Sequence, residues 1–126
     1  MITEDYVSFE SAKLLKEKGY WNIATMLYKE NGDIVNYNVP LNNKGFSSTL
    51  DVFYEAPTLQ MAMKWLREKY SLEIYPYHNY DNSKWWYEII KYPNSVAEYE
   101  CGKDEELDTY EQACEAAIRY TLENLI

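Results

Sequence analysis

The chain has few of the residues that most enzymes use for chemistry. It contains one histidine, His78, and two cysteines, Cys101 and Cys114, which lack a CxxC spacing and a flanking histidine cluster. These residues do not compose a usual zinc site or disulfide framework, and a triad would need a thiol beside the histidine. We therefore expect a surface histidine in an edge strand, two reduced thiols and no bound metal.

Glycine is also scarce, with four in 126 residues. None of them belongs to a GxSxG, P-loop or GxGxxG pattern, and the chain has no HExxH. Those patterns present a nucleophile, cradle phosphates, bind dinucleotides or hold zinc. We therefore expect no catalytic residue, no cofactor and no enzymatic activity.

Long apolar runs are missing as well. No segment approaches the roughly 20 apolar residues that a membrane-spanning helix needs. The first residues include Glu4 and Asp5, where a secretory leader would carry basic residues. The expectation is a soluble cytoplasmic protein that does not enter membranes.

Negative charge is abundant and unevenly placed. The net charge is −9, and residues 98 to 126 hold nine acidic and two basic residues, which accounts for −7 of it. An acidic surface repels the phosphate backbone, which argues against direct nucleic-acid binding.

Six acidic residues form a candidate acidic patch before the last predicted helix: Glu98, Glu100, Asp104, Glu105, Glu106 and Asp108. The plainest interpretation is a solvated cluster, because acids ahead of a helix interact favourably with the positive end of its dipole. The spacing lacks the glycine and the alternation of an EF-hand loop, so no calcium site is predicted.

The pattern of apolar residues predicts one α+β domain over residues 1–126, with an N-terminal helix followed by two βββα units. The predicted elements are a helix over 8–18, strands over 24–30, 33–37 and 49–54, a helix over 58–70, strands over 72–77, 85–92 and 96–101, and a helix from 109 nearly to 126. The stretch 40–47 is predicted to be a loop.

Local signals mark the ends of these elements. Ser8 is the predicted N-cap of the first helix and Gly19 its stop. The pair Asn31-Gly32 predicts a two-residue type I′ hairpin turn. Pro57 is expected in the first turn of the second helix, and Pro76 in an edge strand. For the last helix, Thr109 and Gln112 are expected to form a capping box.

The two βββα units, residues 20–70 and 71–126, suggest an internal repeat. Their helices begin alike at Thr58 and Thr109, which lie 51 positions apart. Two capped amphipathic helices after strands also look like this without common ancestry, and that interpretation is preferred.

Two groups of large apolar residues are candidate contact surfaces. Met61 and Trp65 lie one turn apart, opposite the apolar stripe of the second helix, and need cover from the first helix or from another chain. Cover from the first helix is preferred. Trp85 and Trp86 fall on opposite faces of one strand, so one should be in the core and the other could stack on a sugar or a base.

Three segments carry a resemblance: VSFESAKLLKEKG (7–19), APTLQMAMKWLRE (56–68) and YEQACEAAIRYTLENLI (110–126). They resemble helices of small bacterial proteins of prophage and mobile-element type, a group without a known activity. The resemblance covers about half of the chain and implies a small accessory protein of mobile DNA. No functional residue follows from it.

The first functional hypothesis is therefore a non-enzymatic interaction module that binds another macromolecule, either a protein partner or a second copy. One alternative is an acidic nucleic-acid mimic that inhibits a DNA-binding protein, which requires the acids to line one contiguous face. The other is a small-ligand or carbohydrate-binding domain, or an unrecognised hydrolase, built on exposed aromatic residues.

Overall fold

The structure is a computed structural model that describes residues 2–22, 26–36, 52–94, 96–101 and 105–126. Its elements are α1 (Phe9–Glu17), β1 (Met26–Lys29), β2 (Ile34–Asn36), β3 (Phe53–Glu55), α2 (Leu59–Tyr70), β4 (Leu72–Asn79), β5 (Lys84–Lys91), β6 (Val96–Glu100) and α3 (Tyr110–Asn124). The order confirms the predicted α+β fold, a helix followed by two βββα units. The predicted loop 40–47 and the start of the third strand, 49–51, lie outside the described residues.

Each helix begins at a hydroxyl residue whose side chain accepts a backbone N–H three positions later, which satisfies a donor the helix cannot. The caps are Ser8, Thr58 and Thr109, as predicted. Pro57 precedes the cap of α2 and does not lie in its first turn. Gln112 accepts from the backbone N–H of Asp108 at 3.0 Å, one residue before the cap, so the capping box is displaced by one position.

The turn between β1 and β2 corrects a prediction. Tyr28 pairs with Ile34 in the strand register, and the Lys29 N–H donates to the Asp33 carbonyl, so three residues form the loop. In this loop Gly32 alone has a positive φ, +95°. A type I′ turn needs positive φ at two central residues, so the turn is instead a three-residue loop with glycine last.

The six strands form two separate antiparallel sheets among the described residues. The strand orders are β2-β1-β3 and β4-β5-β6. The first strand of the first unit is central, whereas the middle strand of the second unit is central, so the internal repeat is not confirmed. Strand β4 lies at an edge of its sheet, which is where Pro76 was predicted.

The core lies between the second sheet, α2 and α3. Strands β4 and β5 contact α3, and α2 packs on both β4 and α3. The face of α3 predicted to be buried is buried in the structure, and its interior residues are Ala113, Cys114, Ala117, Ile118, Thr121 and Leu122.

Helix α1 packs against α3 and β3. Its N-terminus is bound by one side chain of α3: Glu115 accepts the Ser8 N–H at 2.6 Å and the Ser11 hydroxyl at 2.6 Å. Ser11 is fully buried, so this carboxylate satisfies a donor that water cannot reach. The contact fixes α1 on the helical side of the molecule.

Candidate functional site

The two faces of the second sheet have different environments. Cross-strand partners point to the same side of a sheet, and successive residues alternate. In β5, Tyr87 and Ile89 are buried and face the helices, while Trp86, Glu88 and Ile90 point the other way. Within the described chain the helices lie on the side of Tyr87 and Ile89, so the opposite side is open.

The open side is rich in aromatic residues. We define the outer face as Glu73, Tyr75, Tyr77, Trp86, Glu88, Ile90 and Glu100. Tyr75 is 56% exposed, which is unusual for a tyrosine in a long strand. The rings of Tyr77 and Trp86 are cross-strand partners with centroids 5.7 Å apart. This arrangement is a partly exposed platform of aromatic rings.

Two carboxylates stand side by side on this platform. Glu88 and Glu100 are direct cross-strand partners on β5 and β6, so their β-carbons are about 5 Å apart. Like charges directly opposite each other destabilise a sheet. None of the salt bridges between described residues involves either one. The outer face therefore holds concentrated negative charge that a bound cation would relieve.

The hydroxyl of Tyr77 is affected by the same two carboxylates. It donates to Glu100 across 3.4 Å. Burial, followed by the negative charges of Glu100 and Glu88, raises the pKa of Tyr77 to about 12. The tyrosine therefore stays protonated at neutral pH and serves as a donor and a stacking surface.

The predicted acidic patch is divided between two places. Glu98 and Glu100 are exposed on β6, and Asp104 lies outside the described residues. The segment 105–108 is held against the sheet: Leu107 and Trp85 exchange two backbone hydrogen bonds of 2.7 and 2.9 Å.

Side chains also hold this segment in place. Glu106 accepts hydrogen bonds from the Trp86 indole and from Asn82 at 3.1 Å, and Asp108 pairs with Lys84. On the helix side, Glu105 accepts from the Tyr99 hydroxyl, and this hydrogen bond raises the pKa of Tyr99 to about 12. These acids therefore make side-chain hydrogen bonds and an ion pair to the sheet. The sequence predicted only a solvated cluster that interacts with the helix dipole.

The tryptophans of β5 lie on opposite faces of the sheet. Trp85 is half-buried on the helix side, where its ring meets Tyr110 at 5.5 Å and His78 at 4.9 Å. Trp86 is half-buried on the outer face. The expectation that one of them is a core residue is too strong, because neither is fully buried.

The other candidate surface, on α2, is only partly covered. The ring of Trp65 packs against Tyr20 at 5.3 Å and against Tyr70 at 5.4 Å. Met61 stays 41% exposed. The expectation that α1 covers this face is wrong at Met61, and at Trp65 the covering ring belongs to Tyr20, beyond the end of the helix. Glu115 accounts for this placement, because it binds the start of α1 to α3.

The thiols are poorly placed for nucleophilic chemistry. Cys101 and Cys114 are both buried and unbonded to each other. Burial raises the pKa of both, and for Cys114 the value reaches about 11. A thiol reacts as its thiolate, so both are protonated and inert at neutral pH. In the described ranges no three His, Cys, Asp or Glu residues are grouped to hold a metal ion.

Sequence reasoning missed Tyr75, Tyr77 and Glu88. The alternation of β5 could have placed Glu88 beside Trp86 on one face. The opposition of Glu88 and Glu100 could not be found in this way, because it depends on a register that shifts at a bulge between Ile89 and Ile90.

Comparison with known proteins yields no match to a family model, to a curated protein or to a solved structure. Among the described helices, none is long and apolar enough to cross a membrane.

Proposed function

We propose that this protein is a non-enzymatic binding module that holds an arginine-rich segment of another protein on the outer face of its second sheet. The observation that carries the proposal is the direct opposition of Glu88 and Glu100 between aromatic rings. A guanidinium group can bind both the carboxylates and the rings, since it pairs with carboxylates and stacks on aromatic faces.

The geometry favours an extended segment. In an extended chain every second side chain points to one side, about 7 Å apart by the strand rise. Alternate arginines would then meet the paired carboxylates and the rings of Tyr75 and Tyr77 in turn. Tyrosine and tryptophan are enriched in protein interfaces, where they supply area at low entropic cost.

Two other occupants are less compatible with this face. A second copy would bring Glu88 and Glu100 against the same acids of its partner, in a protein of net charge −9. Addition of a strand at the edge of β4 meets Pro76, which has no N–H to donate. Charge complementarity therefore selects a basic partner that lies across the face.

The test uses an octapeptide of alternating arginine and serine, with fluorescence anisotropy as the measurement. The double variant Glu88→Gln, Glu100→Gln is compared with Glu4→Gln, Glu111→Gln, whose residues are exposed on the helix side and which changes the net charge equally. We expect the face variant to weaken binding about tenfold or more and the control less than about twofold.

Three outcomes would overturn the proposal. Equal losses in the two double variants would show that the peptide senses only net charge. An alternating lysine-serine peptide that binds as tightly as the arginine peptide would remove the stacking argument. A Tyr75→Ala variant with unchanged affinity would do the same, with Trp21→Ala, 78% exposed elsewhere, as its matched control.

A further inference from the structure

Helix α2 carries a second apolar strip on the side that faces away from the core. We define the α2 surface as Met61, Lys64, Trp65, Glu68 and Lys69, which follow the spacing i, i+3, i+4, i+7 and i+8 of one helix face. None of the five is an interior residue of α2. Met61 is 41% exposed, and Trp65, one turn further along, is half-buried. The α2 surface therefore presents two large apolar side chains in a row along the helix axis.

Trp65 is held in one orientation by its neighbours. The rings of Tyr20 and Tyr70 meet it edge-on, with interplanar angles of 76° and 77°. The ammonium of Lys69 lies 5.1 Å from the centre of the Trp65 ring, close enough for a cation–π contact. Because the ring is already ordered, a partner that packs on it immobilises little further side-chain freedom. Tryptophan is also enriched among the residues that carry most of the energy of protein interfaces.

The charge of α2 is opposite in sign to that of the whole protein. The net charge of the chain is −9, whereas α2 contains three basic residues, Lys64, Arg67 and Lys69, and one acidic residue, Glu68. Lys64 pairs with Glu68 at 4.0 Å, but both side chains are exposed, and such pairs are weak. No salt bridge between described residues involves Lys69. A carboxylate of a partner can therefore pair with an ammonium group that lies beside the exposed apolar strip.

We propose that the α2 surface docks an acidic amphipathic helix of another protein. Apolar residues of that helix, spaced i and i+3 or i+4, pack against Met61 and Trp65, which lie one turn apart. Its carboxylates pair with Lys64 and Lys69. Packed helices lie about 8–10 Å apart between their axes, a separation that these long side chains span.

Two other occupants are less compatible with the α2 surface. A second copy docked through the same surface would bring Lys64 and Lys69 against the same lysines of its partner. A nucleic acid presents a phosphate at every nucleotide to a protein of net charge −9, and it has no aliphatic side chain to pack on Met61. A peptide helix needs only two carboxylates beside its apolar strip, so the α2 surface favours an acidic helix.

This inference does not depend on the proposed function. Helix α2 packs on the side of the second sheet opposite to the outer face. The two ligands carry opposite charges, so each is tested with its own probe and its own variants. Failure of one proposal therefore leaves the other standing.

The test is fluorescence anisotropy with a labelled synthetic peptide of about 15 residues, in which leucine recurs at i, i+3, i+4 and i+7 and the other positions are glutamate and alanine. One control peptide has the same composition in scrambled order, and another has lysine in place of each glutamate. We expect the acidic amphipathic peptide to bind about tenfold or more tightly than either control. A scrambled or basic peptide that binds as tightly would overturn the proposal.

A first pair of variants tests the apolar contact. Met61→Gln replaces an exposed apolar side chain with a polar one of similar size and should weaken binding about fivefold or more. The matched control is Ile34→Gln on β2, because Ile34 is also 41% exposed, and it should change affinity less than about twofold. Equal losses in the two variants would contradict a contact at Met61. Both positions are on the surface, and circular dichroism checks that each variant is folded.

A second pair of variants tests the charges. The double variant Lys64→Gln, Lys69→Gln should weaken binding about tenfold or more. The control is Lys29→Gln, Arg119→Gln, which removes the same charge from exposed positions elsewhere, and Arg119 is also one half of an exposed i,i+4 pair. Equal losses would show that the peptide senses only net charge.

Two further measurements separate the other occupants. Sedimentation that shows a dimer of the pure protein, dissociated by Met61→Gln, would assign the α2 surface to a second copy and overturn the proposal. Displacement of the acidic peptide by a single-stranded oligonucleotide at physiological salt would overturn it in favour of a nucleic acid. We expect a monomer and no displacement.

Discussion

The two sheets of this protein follow the same order of elements but have different roles in the structure. Strands β1, β2 and β3 have three or four residues, and Leu27 is the one residue among them that is fully enclosed. Strands β4 and β5 have eight residues each, pair along their whole length and contribute Leu72, Ile74, Tyr87 and Ile89 to the interior. Two units with the same order of elements can therefore contribute very different numbers of residues to the core.

The difference in strand length also decides which sheet can form a binding face. A strand of three residues presents at most two side chains on one face, which is too few for a platform. Eight-residue strands present four each. The outer face depends on β4 and β5 for this reason.

The largest expected effect tests this difference in weight. Leu72 and Leu27 are each 2% exposed, but Leu72 belongs to the main core cluster and Leu27 does not. We expect Leu72→Ala to cost about 4 kcal/mol and Leu27→Ala about 2 kcal/mol, because a peripheral site collapses more easily around a cavity. Urea unfolding followed by circular dichroism measures both. Equal costs would mean that the two sheets share one core equally.

A smaller effect is the pH dependence of the free energy of unfolding. Both thiols, which titrate in the alkaline range, belong to the second unit. The pKa of Cys114 rises from its ordinary value of 9.0 to about 11 in the folded state through burial. As the pH rises from 9 to 11 the unfolded chain loses this proton first, so the stability contribution is complete below pH 9 and is lost towards pH 11. The loss is on the order of 2 kcal/mol.

Denaturation midpoints at intervals from pH 8 to about pH 10, just below the tyrosine range, measure this slope. The control is Cys114→Ala, which removes one of the two titrating thiols and should reduce the slope, with the remainder due to Cys101. An unchanged slope in that variant would show that another group causes the alkaline loss.

The smallest effect concerns the hairpin of the first sheet. Gly32→Ala places a β-carbon at a φ of +95° and about 3.4 Å from the Phe9 ring, and should cost about 1 kcal/mol. Asn31→Ala loses two exposed hydrogen bonds, one accepted from the Asp33 N–H and one donated to the Asp33 carboxylate, and should cost about 0.5 kcal/mol. Thermal unfolding compares the two. A larger cost for Asn31→Ala than for Gly32→Ala would contradict the three-residue loop and favour the two-residue type I′ turn.

Much of the fold was predictable because its signals are local. Ser8, Thr58 and Thr109 act as helix caps in the structure because capping depends on a few neighbouring atoms. The turn at Gly32 was predicted in place but not in type, since the strand register decides how many residues the loop contains. Pro57 lies two positions before the first residue of α2 for a similar reason: its carbonyl accepts the Val7 N–H at 3.0 Å, a contact distant in sequence.

The candidate sites were less predictable. Trp86 was identified from sequence, but its neighbours Tyr75 and Tyr77 come from another strand and reach it through pairing. The sequence predicted that α1 covers Trp65. In the structure Glu115 binds the start of α1 to α3, and the ring of Tyr20 packs against Trp65. The prophage resemblance stays a prediction.

The amino-acid sequence by itself determined the order of helices and strands, their caps and the concentration of acids in the last 29 residues, because each depends on composition or on contacts within one element. The tertiary structure alone decided which strands are neighbours, that Glu88 faces Glu100, and that Glu115 binds Ser8 and Ser11. Those pairs depend on sheet register and helix docking, which are set by burial summed over the whole core and which no local segment encodes.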